Sequence, residues 1–182
     1  PNLGKNVMIS SVEGQICGDG EGYMETFEPR GFRYLQLTVS DNTRPVTIKR
    51  VGIKSQRYPY VKHGSFECSD EDFNNLYEWG YRTLCLCSED VITDCPSRER
   101  TLYGGDLLPE AATAMVMTDD LGCVKHSMEV FLETRNPETG WLQSSAPQPR
   151  GVAGLFDYPP LTLINFDWYC RLTKDKEFAQ RA

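Results

Sequence analysis

The amino-acid sequence predicts a chain of two parts, in which an antiparallel β-sandwich segment is followed by consecutive helices. Up to residue 64, short runs rich in β-branched and aromatic residues alternate with turn residues, as strands joined by short loops do. From residue 65 on, apolar residues recur instead at the three- and four-residue spacing of helices. We therefore expect residues 1–64 to be the C-terminal part of a β-sandwich domain and residues 65–182 to begin a helical domain.

Four strands are expected in the first part. The clearest lies at residues 33–39, whose side chains alternate with a period of two, as in a half-buried strand. Turn residues at 18–20, 29–31 and 40–42 separate the strands. About sixty residues hold too few strands to close a sandwich, so the start of this domain is expected upstream. The predicted strands are residues 7–9, 22–27, 32–39 and 46–53.

Helix signals begin at Ser69, which precedes three acidic residues and is expected to cap a first helix. Further helices are expected over about residues 107–118, 122–134 and 160–173, the last led by a proline. A Pro/Gly-rich loop is predicted at residues 144–154. Successive helices of this kind begin an all-α domain, and more helices are expected to follow before its core is complete.

Charge and composition exclude several classes of function. The chain carries 19 Lys and Arg against 26 Asp and Glu, a net charge of −7, so no nucleic-acid partner is expected. No apolar run approaches the roughly 18 residues of a membrane span, so no membrane partner is expected either. The seven cysteines are interpreted as buried free thiols, with a zinc site as the less favoured alternative. Free thiols without a visible leader favour the cytoplasm, and a periplasmic or secreted location is left open.

The most unusual stretch reads DCPSRERTLYGGD and ends just before the second predicted helix. It contains the carboxylates Asp94, Glu99 and Asp106 and the guanidinium groups of Arg98 and Arg100, broken by proline and glycine, which predicts a shaped loop. Grouped carboxyls suit glycoside hydrolysis, in which one protonates the leaving oxygen and another activates water. Simpler interpretations compete, with Asp106 as a helix N-cap and both arginines in ion pairs that fix the loop.

This stretch, with its Asp-Cys-Pro-Ser-Arg-Glu-Arg run and the following Gly-Asp, resembles the signature of bacterial α-L-rhamnosidases of glycoside hydrolase family 78. Residues 28–35, 64–69, 74–77 and 140–142, with Pro147 beyond, resemble other motifs of that family in the same order. The likeness covers most of the chain. It implies that residues 65–182 are the N-terminal part of an (α/α)6-barrel catalytic domain, preceded by the β-sandwich.

The resemblance also implies an inverting glycosidase that releases terminal L-rhamnose from a rhamnose-containing glycoside or polysaccharide. Glu99 would be the general acid, and no metal or cofactor is implied. The general base would come from the remainder of the parent chain, so the isolated piece is expected to be inactive. The implied substrate-binding residues are Asp94, Arg98, Tyr103, Asp106 and Trp141.

Tyr103 departs from the family pattern, which has tryptophan in this region. The tyrosine ring would then supply the surface that stacks on the sugar, or mark a different sugar or linkage. Trp141 and Trp168 could line the sugar site, although core packing is the favoured interpretation for both. Asp157 and Tyr158 could reach the site, and exposed loop polarity explains them equally well. The alternative function is a non-catalytic carbohydrate-binding or structural module with a degenerate helical domain.

Overall fold

The protein is described by a computed structural model over residues 12–16, 18–27, 29–147 and 154–182. The chain divides into two compact units, Pro1–Gln56 and Arg57–Ala182. Every helix and strand of the described residues lies in the second unit. In chain order these are α1 Glu71–Cys87, β1 Leu102–Tyr103, α2 Leu107–Met117, α3 Gly122–Glu133, β2 Ser145–Ala146, α4 Tyr158–Thr173 and α5 Lys176–Arg181.

The described residues of the first unit form no helix and no paired strand. Three of the predicted strands lie there as unpaired chain, and the fourth, residues 7–9, lies outside the described residues. Apolar side chains such as Tyr34 and Ile53 are largely exposed, since the described part of this unit forms no sheet that could bury them. The predicted turns agree with the positive φ angles at Gly20 and Asp41. The β-sandwich is therefore not confirmed and remains a prediction.

The first three helices follow the predicted pattern closely. The cap of α1 is Asp70 rather than the predicted Ser69, because the Asp70 carboxylate accepts a hydrogen bond of 3.0 Å from the Asp72 amide. Helices α2 and α3 each end one residue before the predicted bound. Residues 57–64 contact this unit through backbone hydrogen bonds, among them the one of 2.8 Å from the His63 amide to the Met117 carbonyl. The predicted domain boundary after residue 64 remains a prediction.

The last two helices depart further from expectation. Helix α4 begins at Tyr158, two residues before the predicted start, so that both of its prolines lie in the first turn, where a missing amide costs no helical hydrogen bond. Helix α5 was not predicted, since it is only six residues long. Phe178 anchors it, with ring centroids 5.5 Å from Phe166 and 5.2 Å from Tyr169. Burying a phenylalanine contributes about 1.5–3 kcal/mol, enough to hold so short a helix in place.

The core of the second unit lies where the helices meet, and several predicted core positions fall outside it. The apolar spacing of the first predicted helix indicates one buried face along its length, yet only the last turns of α1 are buried, and Phe73 and Leu76 are exposed. The core-packing interpretation of Trp141 and Trp168 is wrong, since their side chains are 51% and 40% exposed. The buried core residues include Leu84, Leu107, Ala111, Ala114, Val124, Met128, Phe131, Phe166 and Phe178.

The six described cysteines are free thiols. Cys85, Cys87 and Cys123 are buried, as predicted, whereas Cys68, Cys95 and Cys170 are only partly buried. Cys17 lies outside the described residues. No helix within the described ranges is long and apolar enough to cross a membrane.

A two-stranded antiparallel sheet joins the loop after α1 to the loop after α3. Tyr103 of β1 lies opposite Ser145 of β2, and the Gly104 amide donates a hydrogen bond of 2.9 Å to the Ser144 carbonyl. The loop prediction for residues 144–154 is thus wrong at its first residues, because pairing with a distant strand leaves no local signal. The sheet matters for the site because it begins where the acidic loop ends.

Candidate active site

Residues 94–101 form a loop that closes on itself. At its neck the Asp94 amide donates to the Thr101 carbonyl at 3.0 Å, and the Thr101 amide donates to Oδ1 of Asp94 at 2.9 Å. Pro96 lacks an amide hydrogen and cannot take part in a continuous helix, so the chain turns here instead. The neck leads directly into β1, which fixes the loop against the helical unit. The predicted shaped loop is confirmed.

Two carboxylates and a thiol meet inside this loop. The oxygens of Asp94 and Glu99 and the sulfur of Cys95 lie within 4.8 Å of one another. Nε and Nη2 of Arg98 each lie 2.7 Å from Oε2 of Glu99. Such a group of atoms resembles a metal-ligand set, but the Arg98 guanidinium already stands where a cation would bind Glu99. The geometry therefore favours an acid pair balanced by arginine.

The two carboxyls of this pair are not equivalent. The Arg98 guanidinium holds the pKa of Glu99 below its usual value, and Asp94 acts in the same direction. Partial burial raises the pKa of Asp94, and the neighbouring Glu99 adds to this rise. These opposite shifts mean that Glu99 ionises more readily than Asp94 in the free site.

Tyr103 lies beside all three carboxylates of the loop region. Burial raises the pKa of its hydroxyl, and the negative charges of Glu99, Asp94 and Asp106 raise it further. Its ring meets that of Tyr158 edge to face, with centroids 6.0 Å apart and planes at 86°. The structure thus brings five of the six predicted site residues into one region, namely Asp94, Arg98, Glu99, Tyr103 and Asp106.

Asp106 does not cap α2, so the N-cap interpretation is wrong. Its backbone is already helical and its side chain makes no capping hydrogen bond within the described structure. The carboxylate interacts instead with the hydroxyl of Tyr158, whose pKa is raised by burial and then by Asp106. Tyr158, at the start of α4, therefore does reach the site.

Arg100 makes the predicted ion pair, with a partner that the sequence did not indicate. Its guanidinium binds Glu89 through three hydrogen bonds of 2.7–3.2 Å. Glu89 follows α1 and lies eleven positions before Arg100. No periodicity or motif links the two positions, so only the folded chain reveals the pair.

Glu110 is a second residue that sequence reasoning missed. It lies four positions after Asp106 on α2 and so on the same side of that helix, a spacing that could have indicated it. Its Oε2 is buried without a hydrogen-bond partner among the described residues. Burial raises its pKa to about 8, and Asp106 and Asp94 contribute. The protonated, neutral form of the side chain therefore predominates at pH 7.

Trp141 lies in a different setting. Its backbone closes the turn after α3, where its carbonyl accepts a hydrogen bond of 2.9 Å from the Asn136 amide, and its side chain is half exposed. Within the described residues it makes no ring contact with Tyr103 or Tyr158. Its role in substrate binding stays a prediction.

Comparison with known proteins places these features in a family. Residues 61–173 match the family model described as the bacterial alpha-L-rhamnosidase 6 hairpin glycosidase domain. Two curated proteins of Formosa agariphila, both named alpha-L-rhamnosidase, are similar to this chain. One is 30% identical over 138 residues, which is 72% of this chain and 14% of that protein. The other is 32% identical over 115 residues, which is 61% of this chain and 12% of that protein.

A solved structure is also similar. It is the crystal structure of a GH78 family rhamnosidase of Bacillus sp. GL1, with a TM-score of 0.63 and 26% identity, and the match covers 69% of this chain and 13% of that one. The chain spans about one seventh of the length of the curated relatives it matches. The matched family residues include the acidic loop, the two-stranded sheet and helices α1 to α4.

Proposed function

The chain belongs to the bacterial α-L-rhamnosidase six-hairpin glycosidase family, and on this premise we propose that it is part of an inverting α-L-rhamnosidase. The substrate is a glycoside or polysaccharide with terminal L-rhamnose. The observation that carries the proposal is that the matched segment brings Asp94, Glu99 and Asp106 near enough to Tyr103 for their charges to raise the pKa of its hydroxyl. Glycoside hydrolysis uses a carboxyl group as the general acid, and an aromatic ring offers an apolar surface to the sugar.

Glu99 is the general acid in this proposal. A general acid must carry a proton when the glycosidic oxygen leaves, and Arg98 keeps Glu99 ionised in the free site. The Arg98 side chain is 65% exposed, so an entering sugar readily displaces it. Without that cation the pKa of Glu99 rises, so Glu99 more readily takes up the proton that it later donates. Substrate binding thus favours the protonated form of Glu99, which is the form that acts as the acid.

The neighbouring side chains bind the sugar. Asp94 and Asp106 accept hydrogen bonds from rhamnose hydroxyls, and Arg98 orients the carboxylates in the free site, before the sugar displaces it. The ring of Tyr103 stacks on the apolar face of the sugar, supported edge-on by Tyr158. Trp141 contributes to the wall of the same site from the loop before β2.

The general base is supplied by a part of the parent protein outside these 182 residues, and the isolated chain is inactive. Inversion requires a second carboxyl about 6.5–9.5 Å from the acid, with a water between them. Asp94 is too close to Glu99 to serve, since their oxygens lie within 4.8 Å. We further propose that residues 1–64 are the C-terminal part of a β-sandwich that precedes the barrel.

The alternative of a non-catalytic carbohydrate-binding or structural module is not favoured. The curated relatives bear the name of an enzyme, and the matched family model is that of a glycosidase domain. The site also retains a carboxyl pair and an arginine in hydrogen-bond contact, which a simple binding face does not need.

Hydrolysis of a panel of aryl glycosides tests the proposal. The protein used contains this chain together with a complete six-hairpin domain, and the panel includes α-L-rhamnoside, α-L-fucoside and β-D-glucoside. Turnover of the rhamnoside, with release of the inverted anomer by NMR, is the expected result. Turnover of another sugar alone would reject the substrate, retention at the anomeric carbon would reject the mechanism, and silence on all three would return the non-catalytic module to favour.

A further inference from the structure

Glu89 and Arg100 stand outside the chemistry described above, and we infer that they form a positioning pair that fixes the orientation of the Glu99 carboxyl group. The inference rests on the proposed function, since it assigns the pair a part in the same reaction. Neither residue touches the sugar in that proposal. They are positioning residues that act through the backbone of the acidic loop.

The pair has the geometry of a rigid clamp. Nε and Nη2 of Arg100 lie 3.2 and 2.9 Å from Oε1 of Glu89, and Nη2 lies 2.7 Å from Oε2. The two side chains are only 25% and 22% exposed. A planar guanidinium bound to both oxygens of a carboxylate fixes orientation as well as distance. The Arg98–Glu99 pair differs, because its arginine is mostly exposed and free to move.

Glu89 offers a fixed point on the helical unit. Its amide donates a hydrogen bond of 3.0 Å to the Val91 carbonyl, inside a tight turn in which Ser88 bridges to Ile92. Ser88 and Ile92 are each 1% exposed. The Ile92 amide donates to Oγ of Ser127 on α3 at 2.9 Å. The carboxylate of Glu89 is therefore carried by a turn anchored in the core.

Arg100 passes the constraint from Glu89 on to Glu99, the residue that precedes it in the chain. Its φ of +45° lies in the left-handed region, which residues other than glycine rarely adopt. Such a conformation persists where the surrounding structure holds it, and here the Glu89 clamp does so. In addition, Oγ1 of Thr101 donates a hydrogen bond of 3.1 Å to the Glu99 carbonyl. The backbone of Glu99 is thus held by both of the residues that follow it, Arg100 and Thr101.

Loss of the clamp should misplace the acid without removing it. A general acid matters most for a leaving group that is a poor anion, such as an alkoxide, and matters little for dinitrophenolate. A misplaced Glu99 should therefore slow the hydrolysis of an alkyl rhamnoside far more than that of a dinitrophenyl rhamnoside. General damage to the fold would slow both alike.

The experiment compares Glu89→Gln and Arg100→Lys in the protein that contains this chain and a complete six-hairpin domain. Each variant keeps the approximate size of the side chain and weakens the two-pronged pair. The matched control is Glu129→Gln, which alters another ion pair, 2.9 Å from Arg181, on helices that supply no residue to the site. The readout is the ratio of kcat/KM on the dinitrophenyl rhamnoside to that on the alkyl rhamnoside.

We expect this ratio to rise about tenfold to a hundredfold in both variants and to stay unchanged in the control. An equal loss on both substrates, or an unchanged ratio in a folded variant, would overturn the inference. Wild-type protein and Glu99→Gln in the same assay distinguish a failure of the proposed function from a failure of the positioning pair. A wild-type protein without rhamnosidase activity refutes the proposed function, whereas a selective effect in Glu99→Gln that is missing from Glu89→Gln and Arg100→Lys refutes the positioning pair alone.

Discussion

The ring of Tyr158 occupies the space that a side chain at Gly105 would need, since a Cβ atom built there would lie 2.5 Å from Cε1 of the tyrosine. Glycine is required at this position by the close approach of α4 and not by an unusual backbone angle. The contact holds the tyrosine hydroxyl against Asp106, the next residue in the chain. Because Gly105 has no side chain, α4 can approach the acidic region this closely.

Substitution of Gly105→Ala should displace Tyr158 and with it the environment of Asp106. We expect a loss of about 1–3 kcal/mol in the free energy of unfolding and a fall in kcat/KM on rhamnosides. Thermal unfolding and steady-state kinetics measure the two effects, here and below in the protein that contains this chain and a complete six-hairpin domain. Gly80→Ala is the matched control, because nothing described lies within 4 Å of its added Cβ, and alanine in mid-helix should stabilise slightly. Equal stability of the two variants would contradict the close contact.

Substitution of Glu99→Gln removes the transferable proton and leaves the shape of the side chain. We expect kcat on an alkyl rhamnoside to fall by about 10²–10⁴, while rhamnose still binds. Kinetics and calorimetric titration with rhamnose give the two quantities. Glu138→Gln, in the exposed turn after α3, controls for the loss of one carboxylate. Turnover close to wild type in Glu99→Gln would reject this residue as the acid.

Substitution of Arg98→Gln should shift the pH dependence of the reaction. Arg98 is the main cause of the low pKa of Glu99, so its removal raises that pKa. Because the acid must be protonated to act, the alkaline limb of kcat/KM should move to higher pH. A pH–rate profile measures the shift, and a limb that stays in place or moves to lower pH would show that Arg98 does not control the acid.

Substitution of Glu110→Gln should change how stability depends on pH. The folded protein holds the Glu110 proton up to about pH 8, whereas the unfolded chain releases it near its ordinary pKa of about 4.3. Between these values the folded state binds the extra proton, so this group lowers the free energy of unfolding by about 1.4 kcal/mol for each unit of rising pH. The loss is complete above about pH 8.

Denaturant unfolding between pH 5 and pH 9 measures this contribution as the difference between wild type and Glu110→Gln. We expect the variant to gain stability relative to wild type as the pH rises, with the difference constant above about pH 8. Glu138→Gln is again the surface control. A difference that does not vary with pH would mean that Glu110 titrates normally in the folded protein.

Substitution of Tyr103→Ala should weaken sugar binding by removing the stacking surface. We expect a rise of about twofold to tenfold in KM for a rhamnoside, the range that one aromatic contact contributes. Tyr103→Phe keeps the ring and should leave KM near the wild-type value. If alanine and phenylalanine have the same effect, the hydroxyl rather than the ring would be the contributing group.

The sequence predicts most of the helical unit because its signals are local. Helices α2 and α3 follow from apolar spacing alone and agree with expectation to within one residue. The misses have non-local causes: β1 and β2 are two residues each and exist only by pairing with each other. Helix α5 depends on Phe178 packing against α4. Six residues are too few to show an apolar periodicity that would predict this helix.

The sequence motif predicts where the site lies, and the contacts in the structure correct the roles of some of its residues. The motif located the acidic loop, and the structure brings five of its residues together. The position of Asp106 before a helix suggested a cap, but its carboxylate meets Tyr158 from α4 instead. No sequence pattern indicates a role for Glu89, because it meets its partner Arg100 only after the chain has turned through the loop.

The closed neck between Asp94 and Thr101 has a consequence for protein engineering. Because the loop is hydrogen-bonded to itself at its base, we expect it to keep its shape when it is transplanted as one segment between related scaffolds. The Glu89–Arg100 pair sets the condition for such a graft, because the segment is tied to its scaffold by an acidic residue that lies outside it. A chimera that imports residues 94–101 should therefore import Glu89 as well.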